Sequence, residues 1–202
     1  MAPAADLYPF EHGLTWVMRE WMRRGSSAVV ADGKVWLIDP VDVPEAIEHA
    51  RQLGEFGGVI QLLDRHPRAC HALAQHYDIP LYRLPDELPI AGVQVFKVVN
   101  AKRWRERALW FADTGTLVVA ELLGTNEYFA LSGDTVGVHP MLRQARVKVG
   151  DHLPVQHLLV GHGKPVHTDA ATAIAAAYQH RRRDALLIAR GLRAFVGNGK
   201  EK

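Results

Sequence analysis

The dipeptide Asp32-Gly33, set between the apolar runs Ala28–Ala31 and Val35–Ile38, constrains this chain more than any other feature. Both residues tolerate positive φ, so the segment reads as a two-residue turn joining antiparallel strands. Ahead of it, Leu14, Trp16 and Met18 alternate with Thr15, Val17 and Arg19, the period of a half-buried strand. The pattern then changes. Asp42, with Glu45 three residues on, forms a capping-box pattern, and Ile47, Ala50 and Leu53 recur at helical spacing as far as Gly54. Gly58–Leu63 is short and nearly all apolar, the mark of a strand buried on both faces. Asp64 is placed to cap a helix running to about Tyr77, and Pro80–Tyr82 reads as a strand again.

Further along, Val93–Val99, Ala108–Ala112 and Thr116–Ala120 read as strands, the last two joined across Asp113-Thr-Gly115. Residues 122–154 lack periodicity. A loop of that length usually covers a site or carries one. Gln156–Val160 is a final strand, and Thr168 is placed to cap an Ala-rich helix reaching about Phe195. Residues 1–12 read as a flexible arm, and 13–202 as a single domain ending in that long helix. Strands interleaved with helices imply a layered α/β protein whose chemistry sits on loops after strand ends.

Twenty-four Lys+Arg against 22 Asp+Glu leave a formal charge of +2, too little to argue for nucleic acid. Basic stretches at Lys102–Arg107 and Arg181–Arg183 read as solvated faces; the second is also the sole sequence support for an assembly role. Cys70, the only cysteine, excludes a disulfide scaffold. No apolar run approaches the roughly 18 residues of a membrane span, and the start, MAPAADLYPFEHG, lacks a basic segment followed by an apolar one. The expectation is a cytoplasmic protein with neither a membrane nor a nucleic-acid partner.

Four landmarks occur in order: Trp36-Leu-Ile-Asp39, Leu63-Asp-Arg-His66, Thr116-Leu-Val-Val-Ala-Glu121, and Leu159-Val-Gly-His162-Gly-Lys-Pro-Val166. Together they resemble the metallo-β-lactamase fold family from about Leu14 to Tyr178. The resemblance implies an αββα sandwich, two mixed β-sheets flanked by helices, with a metal site at the strand ends. Family members carry a His-x-His-x-Asp-His run, joined by later His and Asp residues, that holds two zinc ions and an acidic bound water.

On that pattern this chain has Gln61 and Leu63 in place of the first two His and Arg65 in place of the Asp, while His66 is retained. The segment Val99–Trp104 offers no His, Glu121 replaces the bridging Asp, and His162 keeps the last position. The resemblance therefore implies a metallo-β-lactamase-like protein without a dinuclear zinc site, expected to need no cofactor and to bind a small molecule or a protein partner through the old cleft. The alternative is a hydrolase of an ester, thioester or related bond, with one zinc, iron or manganese ion on His66, Glu121 and His162. Arg65 weighs against a metal, because a guanidinium cannot deprotonate to make room. It could instead pair with Glu121 and replace the metal's charge. Asp39, Asp64, Arg65 and His139 complete the expected pocket, with Asp39 either supporting the site or capping the turn before Pro40. His139 or Asp134 would serve in proton transfer if a metal is held, although exposure is the default for a loop histidine such as His139. Cys70 reads as a small buried residue.

Overall fold

The computed structural model describes residues 5–131 and 133–198, with side chains described as far as Leu186. The anticipated hairpin is present. Strand β3 (Gly25–Ala31) pairs antiparallel with β4 (Lys34–Ile38), and Ala31 opposes Lys34 across Asp32 (φ 51°) and Gly33 (φ 70°). Two consecutive left-handed residues give the turn that matches strand twist. The preceding strand β2 (Gly13–Met18) lies against β3, and β1 (Ala5–Phe10) pairs with β2 from Ala5–Met18 to Phe10–Gly13. Part of the expected arm is thus an edge strand: pairing with β2 supplies an order that its own composition does not. Residues 1–4 of that arm lie outside the described residues.

The chain then crosses through helix α1 (Pro44–Gln52) to β5 (Phe56–Gln61), parallel to β4, and through α2 (Cys70–His76) to β6 (Leu81–Arg83), parallel to β5. These six strands form one mixed sheet in sequence order. The second sheet has the order β12-β9-β8-β7, built from β7 (Val93–Ala101), β8 (Trp104–Phe111), β9 (Thr116–Val119) and β12 (His157–Val160). There β12 runs parallel to β9 and the other pairings are antiparallel. Between them a minor ribbon joins β10 (Leu123–Gly124) to β11 (Gly137–Val138), and helix α3 (Ala170–Asn198) closes the chain.

Strand alternation assigns each side chain to a layer. Along β4, Val35 and Leu37 pack with Ala46, Ile47 and Ala50 of α1 and Leu73 of α2, while Trp36 and Ile38 face the core shared with Leu109, Leu117 and Leu158 of the second sheet. A strand buried on both faces is what the unbroken apolar run of β4 requires. On α3, Ala170, Ile174, Ala177 and Tyr178 join the same inter-sheet core. The Tyr178 hydroxyl donates to the Val149 carbonyl and accepts from its N–H, both at 2.9 Å, pinning the end of the long loop. Among the described residues, no helix is long and apolar enough to cross a membrane.

Two expected caps are not formed. Helix α1 starts with Pro44 in its first turn and Val43 at the cap, with no side-chain cap bond; proline fixes the first-turn φ and makes the Asp42 cap unnecessary. Asp64 caps nothing. Helix α2 begins six residues later, with Ala69 at its cap, and the Asp64 carboxylate instead accepts from the backbone N and Nε of Arg105, at 3.0 and 3.1 Å. A charge-assisted pair reaching into the other sheet outcompetes a helix cap.

Candidate functional site

A cleft of about 370 Å³ opens where the ends of the two sheets meet. Its walls come from four connections: Glu20, Trp21, Met22 and Arg24 between β2 and β3; Leu63, His66 and Arg68 between β5 and α2; Glu121 just after β9; and His162 just after β12. Close backbone approach makes this meeting possible. The Gly25 N–H donates to the Gly161 carbonyl at 2.8 Å, and a Cβ on Gly25 would lie 2.4 Å from the Val160 carbonyl oxygen. On Gly161 a Cβ would lie 2.2 Å from that of Ala120.

Glu121 is the centre of the polar floor. It is buried, and its Oε2 accepts a hydrogen bond from the Arg65 guanidinium. Arg65 lies over the Trp104 ring, its Cζ 4.1 Å from the centroid, a cation–π placement that fixes the planar group. The other carboxylate oxygen, Oε1, faces Nε2 of His66 at 3.7 Å and Nε2 of His162 at 3.8 Å, beyond hydrogen-bond length. Burial alone would raise the Glu121 carboxyl. The His162 imidazole and the Arg65 guanidinium outweigh it and bring the group down to about 2. His162 is itself buried, stacked on Phe129, with Nδ1 3.0 Å from the Met22 carbonyl. His66 sits at the rim, its side chain 62 % exposed.

Two buried groups support this floor, and the sequence reading missed both. The Glu106 Oε1 accepts from the backbone N–H groups of Glu121 and Leu122, each at 2.8 Å, while Trp104 Nε1 donates to its Oε2 at 3.3 Å. Burial lifts this carboxyl to about 7 against the backbone donors that favour its charge. Its signal was parity: Glu106 shares a strand face with Trp104 and Ala108, so the Lys102–Arg107 stretch is not simply a solvated edge, and Trp104 is buried. Arg68 is the second. Its Nη1 donates to the carbonyls of Gly25 and of Asp39 (2.8 Å), and its Nη2 to that of Gly161 (3.0 Å), tying β3, β4 and β12 together at the base of the cleft.

The other expected pocket residues stand behind the cleft wall. The Asp39 carboxylate accepts from the Leu62 N–H at 3.0 Å, holding the segment that leads to Leu63, and burial raises it to about 6. Asp64 is engaged with Arg105. His139, expected to be exposed, is buried among Trp104, Tyr128 and Phe129, with Nδ1 accepting from the Met141 N–H at 3.2 Å. Burial lowers this imidazole to about 4, the charges of Arg65 and His162 adding to the effect. Arg143, in the same loop, is fully buried and donates to the carbonyls of Val138 and Phe129. Asp134 is held by His180 and Arg183 of α3. Arg181 bonds the Val147 carbonyl, so two of the three arginines in the basic run serve contacts within the chain. Cys70 is buried at the start of α2, and burial pushes its thiol up.

No protein-family model matches this chain, and no curated protein matches it in sequence. Solved structures do. The DIM-1 metallo-β-lactamase exposed to ceftazidime superposes with a TM-score of 0.63 at 12 % identity, over 91 % of this chain and 99 % of that one. The mono-zinc form of FIM-1 from Pseudomonas aeruginosa gives 0.59 at 11 % identity, over 90 % and 96 %. A 1–254 fragment of a protein described as a diflavin flavoprotein, from Nostoc, gives 0.55 at 17 % identity, over 91 % and 99 %. The chain has the metallo-β-lactamase fold, an α/β sandwich of two mixed sheets with helices outside.

That fold implies zinc, and the donor set here does not suit it. One oxygen of the Glu121 carboxylate is taken by a guanidinium, whose permanent charge cancels that carboxylate's own. Two imidazole nitrogens remain near the other oxygen, and among the described residues no group of three His, Cys, Asp or Glu side chains converges to hold a metal. A divalent ion would meet an adjacent cation where its structural and catalytic sites elsewhere supply anionic or neutral donors.

Proposed function

We propose that this chain is a ligand-binding protein of metallo-β-lactamase fold whose cleft is organised by an ion pair in place of a metal centre. The observation that carries the reading is the Arg65–Glu121 pair, held over Trp104. A buried carboxylate at the meeting point of two sheets needs a compensating charge. Arg65 provides one that needs no metal supply, and the cleft above it keeps apolar walls from Trp21, Met22 and Leu63. A cleft with apolar walls and a few fixed polar groups is the usual form of a small-molecule site.

One feature favours the second reading, a single-metal hydrolase on His66, Glu121 and His162. His162 is anchored through Nδ1 to a backbone carbonyl, leaving Nε2 toward the cleft, as metal-ligating histidines commonly are. Elemental mass spectrometry on protein purified without chelator or metal-affinity tag separates the two. Ion-pair organisation predicts a metal content near zero and a melting temperature that a chelator leaves unchanged. About one equivalent of zinc, iron or manganese, lost in His162→Ala, would replace that reading with the hydrolase.

A further inference from the structure

A second cavity, of about 660 Å³, lies beside the cleft and shares only Glu20 and Trp21 with it. Its walls are the β2–β3 connection and the loops that follow β10 and β12, and these are fastened to one another. The Gly163 N–H donates to the Arg23 carbonyl at 2.8 Å, Thr125 Oγ1 to the Lys164 carbonyl at 2.7 Å, and Asn126 Nδ2 to the Met22 carbonyl at 2.8 Å. A Cβ on Gly163 would lie 2.2 Å from Thr125 Oγ1, so the loops meet as closely as glycine allows. The cavity is shaped before anything enters it, which spares a ligand the cost of ordering its walls.

Several polar groups in these walls are already spent. Glu20 is paired with Arg24, Asp134 is held by His180 and Arg183, and Asn126 bonds through both its amide nitrogen and its oxygen. Arg23, Lys164 and Glu127 differ: among the described residues none of them makes an ion pair or a side-chain hydrogen bond, and Lys164 has only the Tyr8 ring, 5.9 Å from its Nζ. Two free cations against one free carboxylate leave a surplus of a single positive charge on the wall. Trp21, 80 % exposed, and Tyr128, 39 % exposed, stand edge to face at 6.3 Å on the same wall, large rings left open to stacking. We propose that this cavity binds an aromatic carboxylate, its ring against Trp21 and Tyr128 and its carboxylate on Arg23, with Lys164 beside it. A guanidinium fork matches the two oxygens of a carboxylate. A monoanion cancels the surplus charge, whereas a dianion would exceed it and face Glu127. The site is separate from the ion-paired cleft and stands whether or not that cleft holds a metal.

The test is an NMR titration of the whole chain with naphthoate, naphthamide, decahydronaphthoate and naphthyl phosphate. Naphthoate is expected to bind about tenfold more tightly than naphthamide, which lacks the charge, and about fivefold more tightly than decahydronaphthoate, which lacks the flat ring. The backbone signals that move should be those of Thr125, Glu127 and Lys164, not those of Leu63 and His66. Arg23→Gly is expected to weaken naphthoate about tenfold. Arg23 sits at φ 48°, a conformation glycine favours, so this variant keeps the turn while losing the guanidinium. Lys164→Met should weaken binding about threefold and Trp21→Ala about fivefold, both at exposed positions where the fold tolerates change. His66→Ala, which lines only the cleft, should leave it unchanged. Equal or tighter binding of any of the other three compounds, an Arg23→Gly protein that binds as the parent does, loss of affinity in His66→Ala, or no naphthoate binding at about millimolar ligand would overturn the proposal.

Discussion

Strand β12 carries polar clusters at both of its ends, and they solve burial in opposite ways. Beyond Val160 lies the cleft, where Glu121 is matched by Arg65 and three carbonyls by Arg68. At the other end, Nδ1 of His157 lies 3.1 Å from Nδ1 of His167, with His12 beside them and the Phe10 ring stacked on His167. Only one of two facing Nδ1 atoms can carry a proton and still bond the other. Burial lowers both imidazoles; the His12 charge adds for His157, opposed by Glu11, and the His157 charge adds for His167. Nε2 of His167 is buried without a hydrogen-bond partner among the described residues. Charge is thus kept and paired at the cleft, and excluded at the other end. A paired site fails when a partner is removed, a neutral one when protons are added.

Removing a partner should give the largest effect. Arg65→Met leaves Glu121 buried beside an aromatic ring and is expected to cost about 3 kcal/mol in urea unfolding, the range for breaking a buried pair. The double variant Arg65→Met/Glu121→Leu should recover most of that loss, because a buried pair replaced by apolar groups is often neutral. A neutral single variant would mean that the pair contributes nothing to the cleft.

Glu106→Gln sharpens the comparison, since Glu106 sits under the charged cluster yet behaves like the neutral one. Its folded-state value is raised to about 7, above the ordinary carboxyl value near 4.5. Its contribution is therefore complete below about pH 4.5 and drains away as pH rises through 7. Glutamine keeps an acceptor for the Glu121 and Leu122 N–H groups. Relative to the parent, the variant should gain stability by about 1.4 kcal/mol for each pH unit between the two values, read in denaturant midpoints from pH 4.5 to 8. Parallel pH profiles for the two proteins would show that Glu106 is ionised throughout.

The smallest effect belongs to the histidine end. His167 is lowered on folding, so its stabilisation is present above the ordinary imidazole value of 6.5 and is lost as pH falls below it. His167→Phe preserves the stack on Phe10 and should flatten the acid limb of the melting profile by about 2 °C. An acid limb as steep as the parent's would assign it to other groups, His139 first among them.

The layers were readable in the chain because alternation and the Asp32-Gly33 turn are local. Each β4 side chain declares its layer by parity alone, and Ala5–Phe10 escaped notice because its order comes from β2. The Arg65–Glu121 pairing was readable only through the fold resemblance, which set two residues far apart in sequence at one place. Asp64 misled because a good cap residue found a better partner in Arg105. Glu106 was hidden by the arginines around it, and Arg68 announces itself by nothing in the sequence, since its partners are carbonyls. His139 lies in a stretch without periodicity, so its burial among three aromatic rings follows from tertiary packing alone.

Arg68 also bears on the order in which the protein assembles. The carbonyls it holds belong to Gly25, Asp39 and Gly161, the last of them separated from it by 93 positions in the chain. The contact to Gly161 closes a long loop and can form only once the two sheets have docked. Interactions absent from the transition state leave the folding rate nearly unchanged and act on escape from the native state. Arg68 therefore works as a late latch: it sets how long a folded molecule lasts, and hardly at all how quickly one forms.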